Sequence, residues 1–271
     1  MFQGEETIVA EGPVLLTYGE GIANIQLNRP DAGNGFNIEL MRALQDVTMR
    51  VHGDRRVRAV ILSGNGKLFC AGGDVKEFAA KGAGLPDYLR MATAYLQVCV
   101  SGLVNLEVPV IAKVHGCATG GAGMGLVCCS DLVICGKSAR FMAGATRVGM
   151  APDAGATALL SKIVGFRRAM ELVLTNRFVE AAEAERIGLV NRVVPDAELD
   201  AEVLALARQM AAGAPRSQGA TKRLMWNGIG RGFEASLPDE AREVSALSGT
   251  ADALEGLAAV IAKRAPQFRG E

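Results

Sequence analysis

The chain reads as an α/β protein built on a mostly parallel sheet and followed by an all-helical region. Three observations lead there. Short β-rich runs alternate with helical stretches as far as about Leu206. The interior runs are apolar almost throughout, which is the pattern of strands buried on both faces. Beyond Leu206 no further strand pattern recurs.

Residues 14–18 and 22–27 predict a hairpin turned at Gly19-Glu20-Gly21. Leu40, Leu44, Val47 and Val51 then recur at helical steps, with Asn37 placed as the N-cap. Residues 57–62 form the next strand and end at Ser63-Gly64-Asn65-Gly66. A helix over 85–106 and strands over 108–114, 132–135 and 189–194 complete a strand–helix alternation, which favours parallel pairing. Residues 204–210, 220–226, 235–247 and 251–263 read as consecutive helices, apolar on more than one face. Such helices pack on another subunit. The expected division is therefore a core over 1–205 and a helical oligomerisation domain over 206–271.

Composition excludes several classes of function. The 271 residues are 49% hydrophobic and 21% charged, with 29 basic and 29 acidic side chains. At this length folding buries roughly three quarters of the chain's surface, so a large core is available. Zero net charge gives no electrostatic grip on nucleic acid or an anionic membrane. The apolar runs fall well short of the roughly 20 residues that span a bilayer, and the opening MFQGEETIVAEG has no secretory pattern. Six cysteines lie in apolar stretches with no CxxC, and there are only two histidines. Neither a metal site nor a disulfide framework is expected, and the reducing cytoplasm is the expected compartment. The 33 glycines are the one departure from average, and they cluster.

The first cluster is LFCAGGDVKE, residues 68–77. Asp74 with Glu77 three residues on predicts a capping box, and Gly72-Gly73 predicts a tight turn whose backbone a ligand can approach. The second, HGCATGGAGMGL over 115–126, follows a strand and opens a helix. It lacks the G-x-G-x-x-G spacing and the acidic residue about 20 positions on that a dinucleotide site needs. His115 is expected to support the loop. The third, RVGMAPDAGA over 147–156, carries Asp153 ahead of a helix over 157–164. Asp153 is either an N-cap or a buried base with a raised pKa.

In this order the clusters resemble the enoyl-CoA hydratase/isomerase (crotonase) family, from the Asn28-Arg29-Pro30 turn to the KRAPQF segment at 263–268. FCAGGD resembles the family's first oxyanion loop and VHGCATGGAG its second, while AAEAERIGLVNRVVP (181–195) is similar to its "EA…GLV..VVP" segment. The resemblance implies a spiral of ββα units with a helical trimerisation region, assembled as a homotrimer or a hexamer of two trimers. It implies an acyl-CoA substrate, with coenzyme A as part of the substrate and no separate cofactor. The thioester oxygen would be held by the amides of Gly73 and Gly121, or of Ala122 in the alternative register. Phe69, Ala71, Val75 and Ala122 would line the coenzyme A path, and Lys76 would meet a phosphate.

One departure decides the expected reaction. The two glutamates of the family's hydratases fall here on Gly125 (Met124 in the other register) and Ala145. A thioester α-proton is removable once preorganised donors stabilise the developing oxyanion and a base is in place. Asp153 is the remaining carboxylate. The expectation is double-bond isomerisation of an enoyl-CoA or ring-acyl-CoA, with Asp153 as the sole acid/base. A hydratase and a catalytically silent acyl-CoA-binding subunit are the alternatives. Dehalogenation with Asp153 as nucleophile would lack the aromatic residue that Ala145 replaces.

Overall fold

A computed structural model describes residue 2 and residues 4–271. Among the described residues there are ten strands: β1 (Glu6–Val9), β2 (Val14–Gly19), β3 (Ile22–Leu27), β4 (Ala59–Gly64), β5 (Val110–Val114), β6 (Cys117–Thr119), β7 (Leu132–Gly136), β8 (Arg140–Met142), β9 (Val179–Glu180) and β10 (Arg192–Val194). The helices over the core are α1 (Ile38–Gly53), α2 (Val75–Ala80), α3 (Leu85–Val104), α4 (Gly120–Cys129), α5 (Ala156–Val164), α6 (Phe166–Thr175), α7 (Ala181–Arg186) and α8 (Leu199–Ala211). Three more follow: α9 (Pro215–Gly228), α10 (Phe233–Ser248) and α11 (Ala251–Ala262).

Seven strands form one sheet in the order β1-β2-β3-β4-β5-β7-β10, antiparallel up to β3 and parallel from β3 onward. The expected hairpin is β2–β3, turned through Glu20 and Gly21. Both have positive φ, as a two-residue turn matching strand twist requires. Every residue of β4 is buried. Its alternate side chains serve two cores, Val60 and Leu62 facing α1 and α3, and Ala59 and Ile61 facing α8. α1 begins where expected, with Asn37 Oδ1 accepting the Leu40 N–H at 2.9 Å.

The expected boundary between residues 205 and 206 falls inside α8 and is corrected. Leu199, Val203, Ala207 and Ala211 are all buried against the sheet, so α8 belongs to the core and the outlying helices begin at Pro215. The strand expected over 189–194 is also shorter, because residues 187–191 turn off the end of α7. No single helix among the described residues is long and apolar enough to cross a membrane.

α9 is pinned to the core by a buried charge pair. Lys222 Nζ lies 2.8 Å from Asp131 Oδ2 and donates to the Leu103 and Val108 carbonyls. Asp131 also accepts the Val110 N–H and the Trp226 indole N–H. Removing the lysine leaves the partly exposed Asp131 carboxylate without its cation, though still accepting from Val110 and Trp226. Lys222→Met is therefore expected to destabilise the chain, read as a fall in the urea midpoint.

Candidate active site

The site sits at the carboxyl ends of the parallel strands, where open α/β sheets place their ligands. Residues 65–74 leave the end of β4, and residues 115–119 leave the end of its neighbour β5. The two segments run side by side through an isolated bridge between Cys70 and Ala118. A small second sheet, β6-β8-β9, brings in the third segment. Thr119 is registered against Met142, so the chain leaving β8 toward Asp153 starts beside the second glycine bend.

At the two bends main chain meets main chain. Gly72 has φ +99° and Gly120 φ +67°, and a Cβ on Gly72 would stand 2.8 Å from the Thr119 carbonyl oxygen and 2.9 Å from Gly120 Cα. Only glycine combines that backbone conformation with that approach. The Gly73 amide is left free by its neighbours. Gly72 O and Asp74 N bond to Phe36, so Gly73, the residue between them, turns its own N–H the other way. No backbone or side-chain acceptor among the described residues takes that N–H. Gly121 lies in the first turn of α4, whose amides have no intrahelical partner.

Both bends and Asp153 line a single cavity of about 330 Å³. Among the described residues lining it, Asp153 is the only acid. Its carboxyl lies against Gly121, where an added Cβ would overlap Oδ1 and stand 3.0 Å from Cγ. Burial pushes the Asp153 carboxyl above the usual carboxylate range, with only its own amide opposing the shift. The N-cap reading of Asp153 is corrected: Gly155 occupies the cap of α5, and no side chain caps that helix.

Asp74 has the opposite electrostatics. Burial opposes ionisation, yet the Glu77 amide and the Arg29 guanidinium 3.0 Å away hold its carboxyl below the usual range. It anchors α2 through Oδ1 at 3.1 Å from Glu77 N. The capping box is only half formed. The Asp74 N–H donates to Phe36 O, and Glu77 turns instead toward Asn37, Tyr88 and Lys81. The Cys70 thiol, enclosed beneath the first bend, is pushed up to about 12 by burial and is no nucleophile.

Ala71, Val75 and Ala122 line the cavity. Phe69 does not: it is fully enclosed in the core, because its side chain points under the bend. Lys76 is exposed on α2 and outside the cavity wall. His115 bonds the Gly66 carbonyl at 2.9 Å, the supporting role expected of it. Tyr88 and Tyr95 are also outside the wall, held by Glu77 and by the Arg42 guanidinium. The rest of the apolar wall comes from Leu89, Ala92, Thr93 and Leu96 of α3 with Phe36 and Phe78. The α3 positions recur at helical steps, the one trace in the sequence that marks them as a face.

Met124 is fully buried and Gly125 packs on Ala154. Ala145 lines the cavity. No ionisable group therefore stands at Met124, Gly125 or Ala145, the positions that the resemblance sets against the hydratase glutamates.

Comparison with known proteins agrees with this geometry. The enoyl-CoA hydratase/isomerase family profile matches residues 17–271. A Rhodobacter capsulatus protein named a probable enoyl-CoA hydratase is 37% identical over 93% of this chain and 95% of its own length. An Arthrobacter 4-chlorobenzoyl coenzyme A dehalogenase is 34% identical over 90% of this chain and 89% of its own. The Escherichia coli 1,2-epoxyphenylacetyl-CoA isomerase is 34% identical over 93% and 96%. The crystal structure of a Mycobacterium smegmatis enoyl-CoA hydratase superposes with a TM-score of 0.89 at 33% identity, covering 95% of this chain and 99% of that one. The spiral α/β core, the paired glycine bends and the match along nearly the whole chain make this protein a member of the enoyl-CoA hydratase/isomerase (crotonase) family.

Proposed function

We propose that this chain isomerises an enoyl-CoA, or a related ring-bearing acyl-CoA, through a thioester enolate with Asp153 as the sole acid/base. The observation that carries this reading is the lone, desolvated carboxylate in a cavity that also holds two bends with unclaimed amides. The amides of Gly73 and Gly121 hold the thioester oxygen, each such donor being worth about 3–4 kcal/mol at the transition state. Asp153 takes a proton from C2 of a 3-enoyl thioester. The electron pair moves through the carbonyl onto the oxygen, giving a dienolate. Asp153, its carboxyl proton exchanging with solvent, then delivers a proton to C4, which leaves the 2-enoyl thioester. No net water, electron or cofactor is required. The similarity to an isomerase of a phenylacetyl-CoA derivative supports the ring-bearing class.

Hydration is the second reading, favoured by relatives of that name. The test separates the two. The chain is incubated in D₂O with a 3-enoyl-CoA and, separately, with crotonyl-CoA. Isomerisation with deuterium entering at C4 is expected, with far slower loss of conjugated absorbance from crotonyl-CoA. Rapid hydration without isomerisation would reverse the assignment.

The pH dependence follows from the Asp153 shift. The base must be ionised to accept the proton, and burial raises its pKa. Activity is expected to fall as pH drops through that raised value, so the acid limb of kcat/KM lies above the range of an exposed aspartate.

Exposed apolar side chains along α10 and α11, including Phe233, Val244, Leu254, Val260 and Ile261, support the homotrimer or pair of trimers expected from the sequence. Six free cysteines, five of them buried, suit a reducing cytoplasm.

A further inference from the structure

We propose that Thr119 is a positioning residue whose hydroxyl clasps the two glycine bends together and thereby sets the separation of the Gly73 and Gly121 amides. The inference rests on the oxyanion reading above. Residues 69–71 and 115–119 are joined by a short ladder: Phe69 N–H to His115 O at 3.1 Å, Cys70 N–H to Cys117 O at 3.1 Å and Thr119 N–H to Cys70 O at 2.8 Å. Main-chain bonding then stops. The Gly72 N–H turns back to Cys70 Sγ, and the backbone turns left-handed at Gly72 and Gly120. One residue before both turns, Thr119 Oγ1 donates to the Ala71 carbonyl at 2.9 Å. It is the only hydrogen bond among the described residues that joins 71–74 to 119–122.

Beyond that ladder each bend is secured to a different part of the fold, the first to Phe36 and Gly33 and the second to the start of α4. Two donors held by separate supports give a poor oxyanion site, because a misplacement near 1 Å costs about a hundredfold in rate. The Thr119 hydroxyl links the supports at the last position before the donors. A valine there keeps the volume and removes the link, leaving the Ala71 carbonyl without its donor.

The test compares Thr119→Val and Thr119→Ser with the unaltered chain. A saturated acyl-CoA carrying ¹³C at its thioester carbonyl is bound, and its carbonyl stretch is read by difference infrared spectroscopy alongside kcat and KM for a 3-enoyl-CoA. Thr119→Val is expected to lose most of the red shift and about tenfold or more in kcat, with KM changed less than about threefold. Thr119→Ser is expected to restore both. A folded Thr119→Val with full red shift and full kcat overturns the inference, as does a folded Thr119→Ser that fails to restore them. Should Thr119→Val not fold, Thr119→Ala takes its place, and unfolding of both makes the hydroxyl merely structural and overturns the positioning role. If the unaltered chain binds the ester with no red shift, the oxyanion reading itself fails, a result distinct from all of these.

Discussion

Asp153→Asn is expected to lower isomerisation of a 3-enoyl-CoA, and deuterium entry from D₂O, by about 10²–10⁴-fold, the contribution of a positioned acid/base. Binding of a saturated acyl-CoA is expected to change little, since the amide keeps the shape of the carboxylate and the amides of the two bends are untouched. The same substitution is expected to stabilise the protein at neutral pH. The Asp153 carboxyl titrates above its ordinary value in the fold because burial disfavours its charge. Below the unfolded pKa both states are protonated and the residue has no effect. As pH rises through the folded value, the native state takes on a buried charge that the unfolded chain carries at no cost, and stability is lost. Asparagine removes that penalty. The gain in Tm of Asp153→Asn over the unaltered chain should therefore appear at neutral pH and vanish as pH falls below the aspartate's titration. An activity loss with no such gain would mean that the charge is compensated within the fold, Arg147 being the cation among the described residues that line the cavity. Undiminished exchange would remove Asp153 from the chemistry altogether.

Much of the fold and part of the site were legible because they depend on local pattern. The Asn37 cap, the apolar run at β4 and the turn at Glu20–Gly21 each rest on residues within a few positions of one another. The glycine bends were legible for a different reason: their backbone conformation and close approach are written in the glycines themselves. What escaped depends on long-range pairing. β6, β8 and β9 have three, three and two residues, too few for a period to register, yet they bring Asp153 beside the second bend. Phe69 was misread because a residue adjacent to a functional loop can face either way. Ala71, two residues on, lines the cavity while Phe69 fills the core, and no local pattern separates the two positions. The Thr119 clasp is equally invisible in sequence, since it joins residues 48 positions apart.

Gly125→Glu is expected to abolish activity and to destabilise the chain, although the resemblance sets this position, or Met124 in the other register, against a hydratase glutamate. The reason is the space. A Cβ at 125 would overlap Ala154 Cβ and stand 2.9 Å from the Ala154 carbonyl oxygen. Ala154 is itself in the left-handed region, at φ +52°, and cannot yield without dragging Asp153, the next residue back. The loop that delivers Asp153 is thus packed into the place a glutamate at 125 would occupy, so the two carboxylates exclude one another. Added atoms in a well-packed core cost about 1–3 kcal/mol on their own, and an unpaired buried charge adds to that. Gly125→Ala separates the contributions: it should carry the packing cost and lose isomerase activity through displacement of Asp153, with no charge involved. Ala145→Glu provides the contrast. Ala145 lines the cavity rather than the core, so its replacement is expected to fold and bind an acyl-CoA. Crotonyl-CoA hydration measured on all three variants checks the expectation. A stable Gly125→Glu chain that gains hydratase activity would show that the loop can move aside and that the two chemistries are not mutually exclusive in this fold.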